Sequence, residues 1–359
     1  MSGEVLPEDE YVRRTHRKYL YLLGFMVAIV ALALFSFGTG DKLISFDIAM
    51  NVISDRLNGY LPDRKGDYWG WLKDRLVFEG TVPRAIGGIM VGAILGVSGA
   101  VMQLCVRNPL ASPYTTGISS AALFGVTVYL VLGFSLVPFT EETSLIVNSF
   151  VFSLIPCALM VVLSMRMRTT PTLLVLIGIG VMYVFNAITM MLKYRAEPEI
   201  LKQIQNWSVG SIAGIGWNGV WFLIGAFIFL FITMSFFSRK LDVLASGDRF
   251  AQSLGVNPLR TRIICIVIVS ACTSVAVSFS GSIGFVGLVV PHVSRMFVGS
   301  KSSVLLPCSA VMGAILLLGS DVLARVLSLA LPVGAVTAVI GAPLFLYFLF
   351  KMKSNGWGR

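Results

Sequence analysis

The sequence predicts an all-α polytopic membrane protein with about ten transmembrane helices. Three observations carry this. Of 359 residues, 56% are hydrophobic and only 13% charged, where a soluble domain carries about 25% charged residues. Several uncharged runs reach the roughly 18 residues that a membrane span needs. The basic residues collect in alternate connecting segments, as they do in cytoplasmic loops of membrane proteins. The net charge of +10 therefore does not point to nucleic acid.

Other classes are excluded by what is missing. Cys105, Cys157, Cys265, Cys272 and Cys308 all lie in apolar stretches with no CxxC spacing, which fits packing thiols. The two histidines are His16 and His292. No HExxH, no GxxxxGK[ST] and no carboxylate cluster within a span occurs, so the chain carries no recognisable hydrolytic site or phosphate loop. Uphill transport by such a chain would draw energy from an ion gradient or another subunit.

In order, residues 1–18 read as a cytoplasmic tail, 19–353 as a single transmembrane domain, and 354–359 as a second tail. Arg13, Arg14, Arg17 and Lys18 precede a first span over 19–37, which lacks a cleavage site and is retained. An external mixed-charge loop covers 38–82. Within it Ile48, Val52, Ile53 and Leu57 recur at helical intervals, predicting an interfacial helix, and Tyr68, Trp69 and Trp71 suit the membrane boundary. Further spans are predicted over 85–106, 115–132, 145–165, 172–192, 220–237, 263–279, 283–298, 304–318 and 333–350, with Asp321 and Arg325 on a short helical link before the last. The 283–298 segment has 16 residues interrupted by Gly284, Gly287 and Pro291. It is short for a core about 30 Å thick, and a re-entrant segment is its rival. Ten crossings with both termini inside put 17 Lys/Arg and 6 Asp/Glu in cytoplasmic pieces, against 11 and 12 outside. That asymmetry favours ten.

Two stretches stand out. In 83–113 an uncharged run lies between Pro83-Arg84 and Arg107-Asn108-Pro109, and Gly88, Gly92 and Gly96 share one helix face. Small residues allow the close backbone approach on which helix association in lipid relies, although any tightly packed span can show them. In the 238–262 loop, Leu244, Ser246, Gly247, Asp248, Phe250, Ala251, Leu254 and Gly255 suggest a short amphipathic helix. Ser246 is placed to cap it, Asp248 to meet the positive end of its dipole, and Gly255 to close it. Phe250, Ala251 and Leu254 are expected on one face. That face fits either a partner's groove or the membrane surface.

Four stretches, over 83–113, 244–256 (LASGDRFAQSLGV), 280–295 (SGSIGFVGLVVPHVSR) and 331–349 (LPVGAVTAVIGAPLFLYFL), together resemble the permease subunit of ABC importers for iron chelates, haem and cobalamin, the FecCD family with its type II importer fold. The resemblance runs from Pro83 to Lys351. It implies ten spans with an inverted repeat, a second identical or related permease chain, two cytoplasmic ATPases using ATP and Mg, an external substrate-binding protein, and a place in the cell membrane. This chain would bind no cofactor or metal itself. Residues 244–256 would be the coupling helix received by the ATPase. Asn108 and Leu110, with Thr169, Thr170 and Thr172, would edge the cytoplasmic gate; a capping turn around Pro171 explains those threonines equally well. Arg84 and Arg325 would meet carboxylates of the binding protein, with interfacial anchoring as the alternative. Two positions depart from the family pattern: Thr81 stands where a further basic residue is common, which turns attention to Lys73 and Arg75, and Ser112 stands where an acid is usual. His292 matches a family histidine and reads as structural. An ion-coupled secondary transporter would need acids inside spans. A membrane-embedded enzyme would need paired acid/base or metal residues.

Overall fold

The computed structural model describes residues 8–39, 45–137, 140–166, 170–327 and 331–354, and among these the regular structure is entirely helical. The long apolar elements are α1 (Glu8–Phe37), α4 (Val82–Val106), α6 (Glu141–Arg166), α7 (Pro171–Lys193), α9 (Trp217–Ala245), α11 (Pro258–Ser280) and α13 (Ser302–Val326). Three shorter apolar helices join them: α5 (Ile118–Leu132), α12 (Val286–Val298) and α14 (Val333–Ser354). These ten follow the order of the ten predicted spans. Four small helices lie in the connections: α2 (Phe46–Leu57), α3 (Tyr68–Arg75), α8 (Pro198–Val209) and α10 (Asp248–Ser253).

The bundle is built around α4. Its apolar stretch is 89% buried, whereas that of α1 is 6% buried; α4 is thus the axis and α1 a lipid-side border. The glycine face predicted for α4 makes this possible. A Cβ at Gly92 would collide with the backbone of Gly313 on α13, one at Gly96 with the Ser309 carbonyl, and one at Gly99 with Gly287 on α12. At Gly88 it would come within 2.7 Å of Ile212. Backbone meets backbone along this seam, which side chains would hold apart.

Four expectations are corrected. First, the 38–82 loop is more helical than its mixed charge suggests. α3 runs through a π-helical turn, Leu76–Thr81, straight into α4, giving 39 continuous helical residues. Pro83 has no N–H to donate, and its ring crowds the carbonyl four residues back. A wider turn relieves this, and the Thr81 hydroxyl donates to the Leu76 carbonyl at 3.3 Å. Second, the polar stretch after α7 contains α8, which Pro198 opens from its first position. Third, Asp321 and Arg325 lie within α13, which continues eight residues past the predicted end of its span at 318 to Val326. The carboxylate is tolerated because it is paired, as described below. Fourth, α12 has 13 residues, about 20 Å at 1.5 Å per residue, with Phe285 before it in a left-handed conformation (φ 66). Its start packs against the middle of α4 and its last turn against the start of α13. Residues 281–285 complete the passage as non-helical backbone inside the protein, the setting in which irregular chain is accepted at membrane depth.

Candidate functional site: the two ends of the central helix

One end of α4 carries Arg84. Its guanidinium grips Asp321, with Nη2 donating to Oδ1 at 2.6 Å and Nε lying 3.2 Å from both carboxylate oxygens. Arg325, one turn further along α13, donates to the other oxygen at 2.8 Å. It also reaches Ser36 on α1, donating to the carbonyl at 3.0 Å and to the hydroxyl at 2.7 Å. The Asp321 side chain is 1% exposed, Arg325 10% and Arg84 26%. Two cations around one buried anion leave a net positive site, open to the outside only at Arg84. Of the two arginines expected to meet a partner, Arg325 is committed inward while Arg84 keeps part of its side chain exposed, and together they tie α1, α4 and α13. The α2–α3 corner stands beside this site: Arg56 pairs with Asp74 at 3.1 Å and lies 3.9 Å over the Phe78 ring, and the Trp217 indole donates to the Phe78 carbonyl at 2.6 Å. Arg75 is exposed and paired with Glu79 at 2.5 Å.

The opposite end carries the turn after α4 and the short helix α10. α4 stops because Arg107 turns left-handed (φ 51). Asn108 then folds the turn, its Oδ1 accepting from the Leu110 N–H at 2.9 Å, and leaves Leu110 exposed. Ser112 is a reciprocal cap: its Oγ accepts from Thr115 N–H at 3.4 Å, while Thr115 Oγ1 accepts from Ser112 N–H at 3.2 Å. An acid is thus not needed there to start the 3-10 turn Pro113–Thr116. That turn packs on α7, where a Cβ at Gly178 would come within 2.6 Å of the Thr115 carbonyl. Thr170 caps α7, accepting from Leu173 N–H at 3.4 Å, and Thr172 is exposed beside it. Thr169 lies outside the described residues. The sequence-predicted gate segments are thus brought to the same side of the bundle.

In α10 three predictions change. Ser246 does not cap it. α9 continues to Ala245, so Ser246 falls at its right-handed C-terminal end and donates to the Asp242 carbonyl at 3.3 Å; Gly247 (φ 124) takes the capping position instead. Leu244 belongs to α9 and is buried. The expected single face is split: Ala251 is buried against the bundle, whereas Phe250 and Leu254, one turn apart, are 51% and 57% exposed. Gly255 adopts the left-handed conformation expected of it (φ 77), and the Val256 N–H returns to the Ala251 carbonyl at 2.9 Å.

Asp248 does more than meet a dipole. It accepts from Arg262 Nη1 at 2.9 Å and Nη2 at 2.5 Å, and Arg107 stands at 3.3 Å. Arg262 is itself buried and donates from Nε to the Cys105 carbonyl at 2.7 Å. The Arg262 hydrogen bonds, followed by the charges of Arg262 and Arg107, hold the Asp248 carboxyl below its ordinary range against partial burial. Sequence reasoning marked Arg107 as the inner end of the 83–113 stretch but missed its pairing with Asp248, along with Arg262, Ser36 and the pairing of Asp321. The available signal was that Asp248 and Arg262 are opposite charges within the one 238–262 loop. His292 packs 5.4 Å from the Phe348 ring, in keeping with a structural role.

The chain as a whole is similar to known proteins. Over 344 residues the chain is 32% identical to the iron(3+)-hydroxamate import system permease of Bacillus subtilis, covering 94% of this chain and 86% of that one. It is 34% identical to the hemin transport system permease of Yersinia pestis, over 94% and 97% of the two chains. A solved ABC transporter structure described as of metal-chelate type, in an inward-facing conformation, superposes with a TM-score of 0.79 at 30% identity, over 92% of this chain and 99% of that one. The FecCD transport family model matches residues 26–351, and the chain belongs to that family.

Proposed function

We propose that the chain is the permease subunit of an ATP-driven importer for a metal chelate, of the iron-siderophore, haem or cobalamin class. An external binding protein hands the chelate to a cavity between two permease chains. Two ATPase subunits on the cytoplasmic side use ATP and Mg to open the inner gate; this chain hydrolyses nothing itself. The reading places the protein in the cell membrane with both termini cytoplasmic, as its charge asymmetry suggests. The observation that carries it is α10. Six residues long, it presents Phe250 and Leu254 to solvent at its own end of the bundle, and an i, i+4 apolar pair on an exposed helix is what a groove in a soluble partner receives.

At the other end Arg84 is the docking contact we propose for a carboxylate of the binding protein, with Arg325 acting through Asp321 to hold it in place. The gate edge is assigned to Asn108, Leu110 and the Thr169–Thr172 turn. The alternative, ion-coupled transport, needs an acid that gains and loses a proton within the membrane. Asp321, the acid within α13, is instead engaged in ion pairs with Arg84 and Arg325.

The test is reconstitution. The chain is expressed with the ATPase and binding protein encoded beside it, purified through the permease, and placed in vesicles. Uptake of iron(3+)-hydroxamate, haemin and cobalamin is then followed with and without ATP. Co-elution of the ATPase and ATP-dependent uptake of one of them are expected. Uptake by the lone chain on an ion gradient would overturn the reading.

A further inference from the structure

α10 poses a mechanical problem. It is six residues long, with a positive-φ glycine just before it, Gly247 (φ 124), and another two residues after it, Gly255 (φ 77). Nothing lies within 4 Å of a Cβ built on Gly255. A short helix between two permissive residues would swing when pushed, and the displacement would be lost in the loop.

Asp248 removes that freedom. Both carboxylate oxygens are held by Arg262, at 2.9 and 2.5 Å, and Oδ1 also faces Arg107 at 3.3 Å. Arg262, near the start of α11, passes the connection on: its Nε donates at 2.7 Å to the carbonyl of Cys105, in the last turn of α4. That carbonyl has no partner within its own helix, because α4 ends one residue later. Arg107 is the residue that ends α4, and the next residue, Asn108, fixes Leu110 through its side chain. Ala251, three residues on and on the same side of α10 as Asp248, is buried. The Arg262 hydrogen bonds and the Arg107 ion pair thus connect α10 to the end of α4 and the 107–113 turn.

We propose that Asp248 is a positioning residue for energy coupling: by holding Arg107 and Arg262 together it makes α10, the end of α4 and the start of α11 one rigid body, so that a movement of α10 is delivered to the 107–113 turn. The proposal rests on the ATP-driven reading for what moves α10, but the rigid joint itself is a property of this chain alone.

The experiment measures the joint directly. Spin labels are placed at Gln252→Cys on α10 and Leu110→Cys in the turn; the native cysteines are buried. Distances are recorded by pulsed electron resonance on the full chain, alone and in complex with its ATPase, without nucleotide and with ATP. With Asp248 intact, a single narrow distance is expected in every state. Asp248→Asn should add a second, longer population, and should lower stimulation of ATP hydrolysis by the binding protein roughly tenfold, within the usual range of coupling between sites. Asp248→Glu should restore both, which a purely folding role for the carboxylate would not require. An Asn variant with one distance and full stimulation overturns the proposal, as does a native distance that changes with ATP. So does an Asn variant that no longer binds its ATPase or no longer unfolds in a cooperative thermal transition, which would make Asp248 a folding residue. If no ATPase assembles with the native chain, the functional reading fails, and the distances in the chain alone still decide whether the joint exists.

Discussion

Arg84 and Asp321 lie 237 positions apart in the chain, yet their side chains meet at 2.6 Å at one end of the bundle. The carboxylate is almost wholly enclosed and also serves Arg325. Removing one member of a buried ion pair leaves the other uncompensated, at a cost of about 3–5 kcal/mol. Asp321→Asn should therefore lower the thermal midpoint of the detergent-solubilised chain strongly. Arg84→Ala should cost less, because Arg325 remains to neutralise the acid and Arg84 is partly exposed. If calorimetry ranks the two the other way, Asp321 is not the centre of the cluster.

Arg84→Glu probes the surface face of the same site. Charges at the rim of an interface act mainly on the rate of encounter. The association rate of the binding protein, followed by surface plasmon resonance, should fall about tenfold or more and lose much of its salt dependence. A rate unchanged at low salt would place docking elsewhere on this end, with exposed Arg75 the next residue to examine.

The glycines of the bundle should differ sharply from one another. Gly92→Leu drives a side chain into the Gly313 backbone, and overpacking of this kind costs about 1–3 kcal/mol or more. The variant should accumulate poorly and melt early. Gly180, on α7, has nothing within 4 Å of where its Cβ would go. Gly180→Ala should be neutral or stabilising by about 0.5–1 kcal/mol, since glycine inside a helix is unfavourable by that amount. Melting curves of the two variants, measured side by side, check both.

Phe250→Ala and Leu254→Ala should leave the melting temperature unchanged, because both side chains are largely exposed. Each should weaken capture of the ATPase by tenfold or more, since burying a large apolar side chain at an interface is worth about 1.5–3 kcal/mol. Pull-down titration against the purified ATPase reads this. Loss of stability instead would show that the pair packs within the chain.

The Asp248 joint has a defined pH window. Arg262 and Arg107 lower its folded-state pKa below the ordinary carboxylate value, so its stabilising contribution is fully present above the unfolded value of about 4. The contribution is lost only as pH falls further, through the lowered folded value. The distance between labels on α10 and the 107–113 turn should stay constant from about pH 5 to 9, and relax only in strong acid. A transition near neutrality would mean that another group holds the joint.

Much of this was legible in the sequence, and for different reasons. Hydropathy over long windows located the ten apolar helices, because burial in lipid leaves the chain little choice. The small-residue face of α4 and the left-handed turn at Gly255 were legible because both are demands on single residues. Ser246 was misread because helix α9 outran its apolar stretch, and hydropathy does not see a helix that continues into water. The split of Ala251 from Phe250 and Leu254 was invisible because an alanine suits either face. Asp321 was read as lying on a link because a charge ends a hydropathy run, even where two arginines from elsewhere in the chain neutralise it.

The contact of α4 with α13 and α12 also limits how such a chain can diverge. Where carbonyl and Cα atoms touch directly at Gly92, Gly96 and Gly99, there is no side chain to trim, enlarge or exchange. The spacing of the axis from its neighbours cannot be adjusted by small steps. Adaptation to a different cargo has to be carried by the peripheral helices, around a centre whose dimensions the peptide backbone sets.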